Sequence, residues 1–373
     1  QRQMCIRDRM KTAMKLRRSP TLEIGEKIKA AKSENKKLFS LSTPSLPNYI
    51  GELKTDKTWG KLTPAAGLPE LIERTETEIF ENWNCSNHKV VISAGAKASL
   101  FTILKCITNS QDRVLIPSPC WPSYIDICTV ADCLPIEMPT HFSNNFCMKL
   151  EEIQSAYLEN QFKAIVFSNP NNPTGVIHDG KFLEALDELA QNYGFYIIID
   201  QSFSKVIFDC EKWQSSYFIN SDKVFIVDSF SKNYLLQGAR VAATLVPSDM
   251  EENFINIHQT ILSSAPAPAQ IMALKALEKN LVIPSLHNQR EKTQAFITAQ
   301  KWDFIQQTGS FYFFPRVDDF KNFEEKAQSE NILILKGSIF GAGYSNHFRL
   351  CFARPLTELE MIFNRLDRIL NGR

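Results

Sequence analysis

Short apolar runs alternate with helix-length amphipathic stretches through the middle of the chain, and this alternation constrains the fold more than any other feature. Five runs have strand length and are rich in Ile and Val: 89–93, 113–119, 162–170, 195–200 and 223–231. They are apolar on both faces, as a parallel sheet covered by helices on both sides requires. The stretches between them, such as 179–194 with its Gly near the end, have helical spacing. The sequence therefore predicts a doubly wound α/β domain over residues 48–260.

The sequence changes in character after this domain. A long helical pattern over 251–280 is interrupted by Ala-Pro-Ala-Pro at 265–268, and a domain junction is expected near there. Short strand-like runs then stand between helical stretches, at 309–317, 332–340 and 347–353. We predict a smaller C-terminal α+β domain over 261–373.

The N-terminal residues 1–47 are predicted to form a separate segment or arm. The first of them, QRQMCIRDRMK, include basic residues but no apolar segment of the kind found in signal peptides. They resemble translated sequencing-adaptor sequence. We expect the gene product to begin at Met10 or Met14.

Charge and composition narrow the classes of partner. The formal net charge is +1 and no charge run is present, so neither nucleic acid nor an anionic membrane is an expected partner. No apolar stretch approaches the roughly 20 residues of a membrane helix. The nine Cys are scattered without a CxxC pair, which indicates reduced thiols and a cytoplasmic protein. The six His show no ligand spacing, so no metal site is predicted.

Polar side chains collect where the predicted strands end. Asp200 closes one strand, and Ser229, Ser231 and Lys232 follow another. A third strand runs into SNPNNPTG (168–175), which has more Asn and Pro than a plain turn needs. Because ligands bind beyond the carboxyl ends of open parallel sheets, one site would collect a carboxylate, a lysine, hydroxyls and amides.

The segments SNPNNPTG, IIIDQSF, SFSKNYLLQGAR and HFRLCFA, in this order, resemble the class I/II aminotransferases. These are pyridoxal 5'-phosphate (PLP) enzymes of fold type I, the aspartate aminotransferase fold. TPAAGLPELIE, SAGAKASLF and PCWPSY also resemble upstream segments of that family, so the resemblance covers roughly residues 58–355. It implies a mostly parallel central sheet with helices on both faces, a smaller α+β domain, and a homodimer.

The resemblance implies three catalytic residues. Lys232 would form the Schiff base with PLP and shuttle the proton, because a deprotonated amine can do both. Asp200 would pair with the pyridine nitrogen and keep the ring an electron sink. Trp121 would stack on the pyridine face. Each has a plainer alternative: a solvated surface lysine, a helix cap or turn residue, and a core or interface tryptophan.

The remaining implied residues bind the cofactor or the substrate. Asn172 would donate to the cofactor phenolate oxygen and contact the substrate, and Arg349 would hold the substrate α-carboxylate by a paired contact. A surface turn and a structural ion pair are the alternatives. The phosphate would rest on a helix N-terminus and the residues around it, namely Gly95, Ala96, Lys97, Ser229, Ser231 and Arg240.

Three features depart from the family pattern. Phe203 stands where a Tyr usually donates to the cofactor phenolate oxygen, which predicts a raised Schiff-base pKa or altered chemistry. Leu62 stands where a Tyr often reaches the partner subunit's phosphate, with Trp59 or Tyr49 as substitutes that the sequence does not decide between. The early segment 41–60 lacks the family's Gly-containing substrate loop.

The sequence favours an aminotransferase that exchanges amino groups between an amino acid and a 2-oxo acid. Lys97 matches a lysine that contacts a distal carboxylate in one aspartate aminotransferase subgroup, so aspartate or glutamate is a candidate substrate; an ordinary solvated lysine is the alternative. Two rivals stay open: a PLP-dependent lyase or cyclase of the same fold, and a non-catalytic PLP-binding homologue.

Overall fold

The structure is a computed structural model that describes residues 20–34, 36, 38–46, 57–83, 86–214 and 221–371. The adaptor-like first residues, Met10 and Met14 lie outside the described residues, as does Tyr49. Within the described ranges, no helix combines the length and the apolar character that crossing a membrane requires.

Strands and helices alternate along the chain as the apolar pattern predicts. The strands are β1 (Phe39–Ser40), β2 (His88–Ser93), β3 (Arg113–Ser118), β4 (Leu134–Pro139), β5 (Ala164–Ser168), β6 (Tyr196–Asp200), β7 (Val224–Ser229), β8 (Ala242–Pro247), β9 (Tyr312–Phe313), β10 (Ile332–Leu333), β11 (Leu335–Lys336) and β12 (Phe348–Cys351). The α-helices are α1 (Pro20–Ser33), α2 (Pro69–Glu78), α3 (Ala96–Ile107), α4 (Ser123–Val130), α5 (Leu150–Asn160), α6 (Gly180–Tyr193), α7 (Cys210–Gln214), α8 (Phe230–Asn233), α9 (Glu251–Leu262), α10 (Ala267–Glu278), α11 (His287–Ala299), α12 (Phe320–Ser329) and α13 (Leu356–Asn371).

The central sheet has seven strands in the order β2-β8-β7-β6-β5-β3-β4. β8 pairs antiparallel with β2 and β7, and the other pairs are parallel. The predicted α/β fold with a mostly parallel sheet is confirmed.

Two separate cores cover the two faces of this sheet. Ile198 packs in one core with side chains of α3, α4 and α9. Its neighbours Ile197 and Ile199 pack in the other with side chains of α2, α5, α6 and α10. Since neighbouring side chains of a strand point to opposite faces, a strand covered on both sides must be apolar at every position. Burying each such Ile contributes about 1.5–3 kcal/mol.

Helix α6 shows how local sequence fixes the bounds of these elements. The Asp179 carboxylate accepts a hydrogen bond from the Phe182 N–H (3.0 Å) and so caps the first turn. Gly194 ends the helix at φ 78°, a left-handed conformation that glycine adopts without steric cost.

A smaller unit of helices and short strands follows. Strands β11, β12 and β9 form an antiparallel sheet, and α11, α12 and α13 pack beside it around an aromatic-rich core. The N-terminal segment joins this unit, because β1 pairs in parallel with β10 and Phe39 is buried in the same core.

The position of the domain junction stays a prediction, although the packing bears on it. α9 ends at Leu262 and α10 starts at Ala267, so the helical pattern breaks at the predicted Ala-Pro repeat. Ala269, Ala273 and Leu277 of α10 nevertheless pack in a core of the large sheet. Ile283 is the next buried residue that belongs to the smaller unit's core, so packing favours a junction after α10 rather than at 261.

Candidate active site

A cavity of about 460 Å³ lies beyond the carboxyl ends of β5, β6 and β7. The predicted site residues that line it are Ala96, Lys97, Trp121, Asn172, Asp200, Phe203, Ser229, Ser231, Lys232, Arg240 and Arg349. Gly95 directly precedes α3 beside them. Among these lining residues four are cationic and one, Asp200, is acidic. The excess of positive charge favours anionic ligands such as phosphate and carboxylate groups.

Lys232 lies on α8, the single helical turn that follows β7. Burial, together with the nearby positive charges of Arg349 and Arg240, lowers the pKa of Lys232 to about 8. About a tenth of the amine is therefore neutral at pH 7, and the neutral form is the one that acts as a nucleophile or a base. This environment differs from that of a solvated surface lysine.

Asp200 ends β6 at the base of the cavity and is held by three hydrogen bonds. One carboxylate oxygen accepts bonds from the N–H (2.9 Å) and the hydroxyl (2.6 Å) of Ser202. The other accepts a bond from the hydroxyl of Tyr124 (2.8 Å). Burial raises the pKa of Asp200, while these hydrogen bonds act in the opposite direction. No described cation lies within ion-pair distance of the carboxylate, so it can serve a cationic ligand group.

The N-terminus of α3 and Arg240 meet at one side of the cavity. Gly95 adopts φ 90°, and a Cβ atom at this position would lie 2.5 Å from Nη2 of Arg240. Only glycine therefore allows the guanidinium to approach the helix start so closely. Arg240 also donates to the carbonyl of Gln237 (2.9 Å) and lies 3.5 Å from the Ser231 hydroxyl. Helix N–H groups, hydroxyls and a guanidinium form a suitable anion site.

Lys97 and Trp121 line the cavity next to this anion site. The Lys97 ammonium lies 5.1 Å from the centroid of the Trp121 ring. Partial burial and the charge of Arg240 lower the pKa of Lys97. The rings of Trp121 and Tyr124 meet edge to face with centroids 5.3 Å apart. Trp121 is half-buried: it lines the cavity and also packs against the core that contains Tyr124.

The Asn-rich loop divides its amides between structure and site. Asn169 bonds both backbone groups of His178, and Asn171 accepts bonds from the N–H and hydroxyl of Thr174. Asn172 lines the cavity, and its amide oxygen accepts a bond from Nη1 of Arg349 (2.9 Å). Two of the three Asn thus shape the loop, and the third faces the site.

Arg349 is 3% exposed, yet it has no carboxylate partner among the described residues. Nη2 donates to the Ser42 carbonyl (2.7 Å), the guanidinium lies 4.0 Å from the centroid of Tyr312, and Nε is buried without a partner. The alternative of a structural ion pair is therefore wrong within the described chain. By contrast, the buried Arg354 does pair with a carboxylate, that of Glu358 (2.7 Å). An unpaired buried guanidinium beside a cavity is a candidate carboxylate site.

The departures from the family pattern have clear structural settings. Phe203 is buried against Phe311 and Tyr312, with ring centroids 5.1 and 5.6 Å apart. Leu62 is 83% exposed. The indole N–H of Trp59 is enclosed within the chain and does not face this cavity.

Seven of the residues that line the cavity were not predicted as site residues, and three of these, Tyr124, Ser202 and Tyr312, contact predicted ones. Tyr124 stands three residues after Trp121 at the start of a helix, a spacing that could have indicated a shared face. Ser202 follows Asp200 by two residues, a common arrangement for bonding a carboxylate. Tyr312 comes from the smaller unit, and no local pattern indicates it.

Comparisons with known proteins agree with this geometry. The family described as aminotransferase class I and II matches residues 25–366. A probable aspartate/prephenate aminotransferase of Aquifex aeolicus is 30% identical, over 95% of this chain and 96% of its own. An aspartate aminotransferase of Thermotoga maritima is 28% identical, over 95% and 97%.

A solved structure supports the same assignment at the level of the fold. The crystal structure of aspartate aminotransferase from Thermotoga maritima superposes with a TM-score of 0.84 at 25% identity, covering 96% of this chain and 99% of its own. The carboxyl-end cavity, the strand order and the family match over most of the sequence lead to one conclusion: this chain is an aminotransferase of the class I and II family.

Proposed function

We propose that this aminotransferase moves amino groups between an amino acid and a 2-oxo acid, with pyridoxal 5'-phosphate bound at Lys232. The observation that carries the proposal is the buried Arg349, which has no carboxylate partner among the residues that the structure describes and lines the same cavity as Lys232 and Asp200. An amino acid and its 2-oxo acid both carry an α-carboxylate, and this group could pair with the guanidinium.

The residues of the cavity fit such a cofactor. The Gly95 turn, Ser229, Ser231 and Arg240 would hold the phosphate, and a Cβ at Gly95 would obstruct that site. The buried Asp200 carboxylate forms no ion pair within the described part of the chain and would accept a hydrogen bond from a protonated ring nitrogen. When bound, the cofactor supplies an electron sink that stabilises negative charge at the substrate α-carbon.

Lys232 would bind the cofactor and then act as the base. Its lowered pKa makes the neutral amine available near neutral pH, so Nζ can take the proton from the substrate Cα. Tyr124 and Ser202 donate three hydrogen bonds to Asp200, which favour its ionised form against the opposing effect of burial. Trp121 would cover one ring face and exclude water.

Arg349 and Asn172 would orient the substrate. Nη1 of Arg349 donates a hydrogen bond to the amide oxygen of Asn172. The NH₂ group of Asn172 is therefore left to donate to a ligand. The substrate carboxylate would accept hydrogen bonds from the guanidinium, which lies 4.0 Å from the centroid of the Tyr312 ring.

The substrate we propose is an acidic amino acid such as aspartate or glutamate. The Lys97 ammonium stands over Trp121 at the cavity rim, where it can meet a second carboxylate. The names of the similar proteins from Aquifex aeolicus and Thermotoga maritima, which include aspartate aminotransferases, support this choice.

We further propose a cytoplasmic homodimer. The exposed apolar side chains of Val130, Ile261 and Leu262 line one groove of the large unit. Exposed apolar groups of this kind are common at subunit contacts. Sedimentation analysis tests the dimer directly.

The half-reaction tests the function. Purified protein with PLP is mixed with aspartate without a 2-oxo acid, and the products are measured. Stoichiometric oxaloacetate with conversion of the bound cofactor to its pyridoxamine form supports the proposal. Continuous release of ammonia with an unchanged cofactor supports a lyase instead. The same assay with an amino acid that lacks the second carboxylate, such as alanine, separates substrate choice from reaction type.

A further inference from the structure

Helix α8 is too short to fix its own orientation. Its four residues, Phe230–Asn233, form one turn, and a single turn is unstable in water without outside contacts. Asn233 directly follows Lys232. Whatever holds the Asn233 side chain therefore sets the rotation of the turn that presents Lys232 to the cavity.

Asn233 is fully buried and bonded on every side. Its amide oxygen accepts a bond from the Lys205 N–H (3.1 Å). Its amide nitrogen lies 3.0 Å from Oδ1 of Asp228, 2.9 Å from the Ser204 hydroxyl and 3.3 Å from the Gln201 carbonyl. These partners belong to two segments, β7 and the turn that follows Asp200. One side chain therefore joins Lys232 to the strand end that carries Asp200.

Asp228 completes this arrangement from β7. It is 0% exposed, and its second oxygen accepts a bond from the Ser204 hydroxyl (2.5 Å). A buried carboxylate is costly unless its hydrogen bonds are satisfied. Asp228 therefore holds Ser204 and Asn233 in place, while none of the three side chains lines the cavity.

We propose that Ser204, Asp228 and Asn233, here called the Asp228 network, form a positioning device that sets the Lys232 amine in the cavity opposite Asp200. The network acts through the backbone: it fixes α8 on one side and the turn 201–205 on the other. The inference rests on the proposed role of Lys232, but it concerns the placement of the amine in the chain itself.

The test measures Lys232 in the cofactor-free protein. Trace labelling with acetic anhydride at a series of pH values, followed by peptide mass spectrometry, gives the titration midpoint of Lys232. We expect a midpoint near pH 8 in the wild type, because the amine is enclosed and near two guanidinium groups. Asn233→Ala should release α8 and move the midpoint up by about one unit or more, toward that of a solvated lysine.

Two further variants separate positioning from general stability. Asp228→Asn can still accept the Asn233 bond and bond Ser204, so it should keep the wild-type midpoint. Asp187→Ala removes another buried carboxylate, bonded to Gln191 (3.3 Å) on α6 and to Ser221, and should lower stability without moving the midpoint.

An unchanged Lys232 midpoint in Asn233→Ala, with a stability loss like that of Asp187→Ala, would overturn the inference. Should Asn233→Ala fail to fold, Ser204→Ala removes a single hydroxyl and is judged by the same shift. Failure of the protein to bind PLP would contradict the proposed function but would not affect the labelling result. Failure of the proposed function can therefore be distinguished from failure of the positioning inference.

Discussion

Replacement of Arg349 by Lys keeps the positive charge but removes the planar fork. In the structure Nη1 and Nη2 each donate to one protein oxygen, and their remaining N–H groups are left for a ligand. A lysine ammonium cannot hold these oxygens and also make paired bonds to a carboxylate. Loss of two charge-assisted hydrogen bonds, each worth about 1.5–3 kcal/mol, predicts a loss of about 3–6 kcal/mol. That corresponds to about a 10²- to 10⁴-fold lower kcat/KM for the amino acid.

The assay compares an amino acid with the matching amine that lacks the α-carboxylate. Arg349→Lys should lose activity on the amino acid and change little on the amine, so the preference between them collapses. Arg354→Lys is the matched control, because Arg354 is equally buried but already paired with Glu358. A loss of less than about tenfold on the amino acid, or equal losses on both compounds, would refute the carboxylate role of Arg349.

Three other substitutions test neighbouring parts of the site and the fold. Phe203→Tyr should restore a donor near the cofactor phenolate oxygen and lower the pH midpoint of the visible band; an unmoved midpoint in a spectral titration would contradict this. Gly95→Ala should weaken PLP binding at least about tenfold, because its Cβ would meet Arg240 at 2.5 Å; pyridoxal, which lacks the phosphate, should bind as before. Burial raises the pKa of Asp228 from 3.8 to about 6. The protonated side chain therefore stabilises the fold fully below about pH 4, and this contribution is lost as the pH rises through 6. Between pH 4 and 7 the free energy of unfolding of the wild type should fall by ~1–3 kcal/mol relative to that of Asp228→Asn. If urea unfolding gives the two proteins the same dependence of unfolding free energy on pH, this prediction is wrong.

The large sheet could be predicted from the sequence because the residues that define each strand and helix are neighbours in the chain. Strands such as β6 must be apolar at each position when helices cover both faces, and α6 carries its own caps in Asp179 and Gly194. The strand ends follow from the same pattern, so Asp200, Lys232 and the Asn-rich loop could be placed at one edge before the structure was known.

Features that depend on contacts between distant segments were not predictable in this way. Tyr312 reaches the cavity from the smaller unit and packs on Arg349. The composition of α10 does not indicate which unit the helix packs against. In the structure its buried alanines pack in a core of the large sheet. The bonds of Asn233 to Asp228 and Ser204 join residues whose side chains look ordinary in the sequence.

The most direct test of the proposed role of Lys232 is to determine the residue to which PLP attaches. The protein is incubated with PLP, reduced with borohydride, digested and mapped by mass spectrometry. We expect a single phosphopyridoxyl group on Lys232, together with a visible absorbance band that Lys232→Ala abolishes. Attachment at Lys97 or at a surface lysine, with Lys232 unmodified, would contradict the assignment of the site.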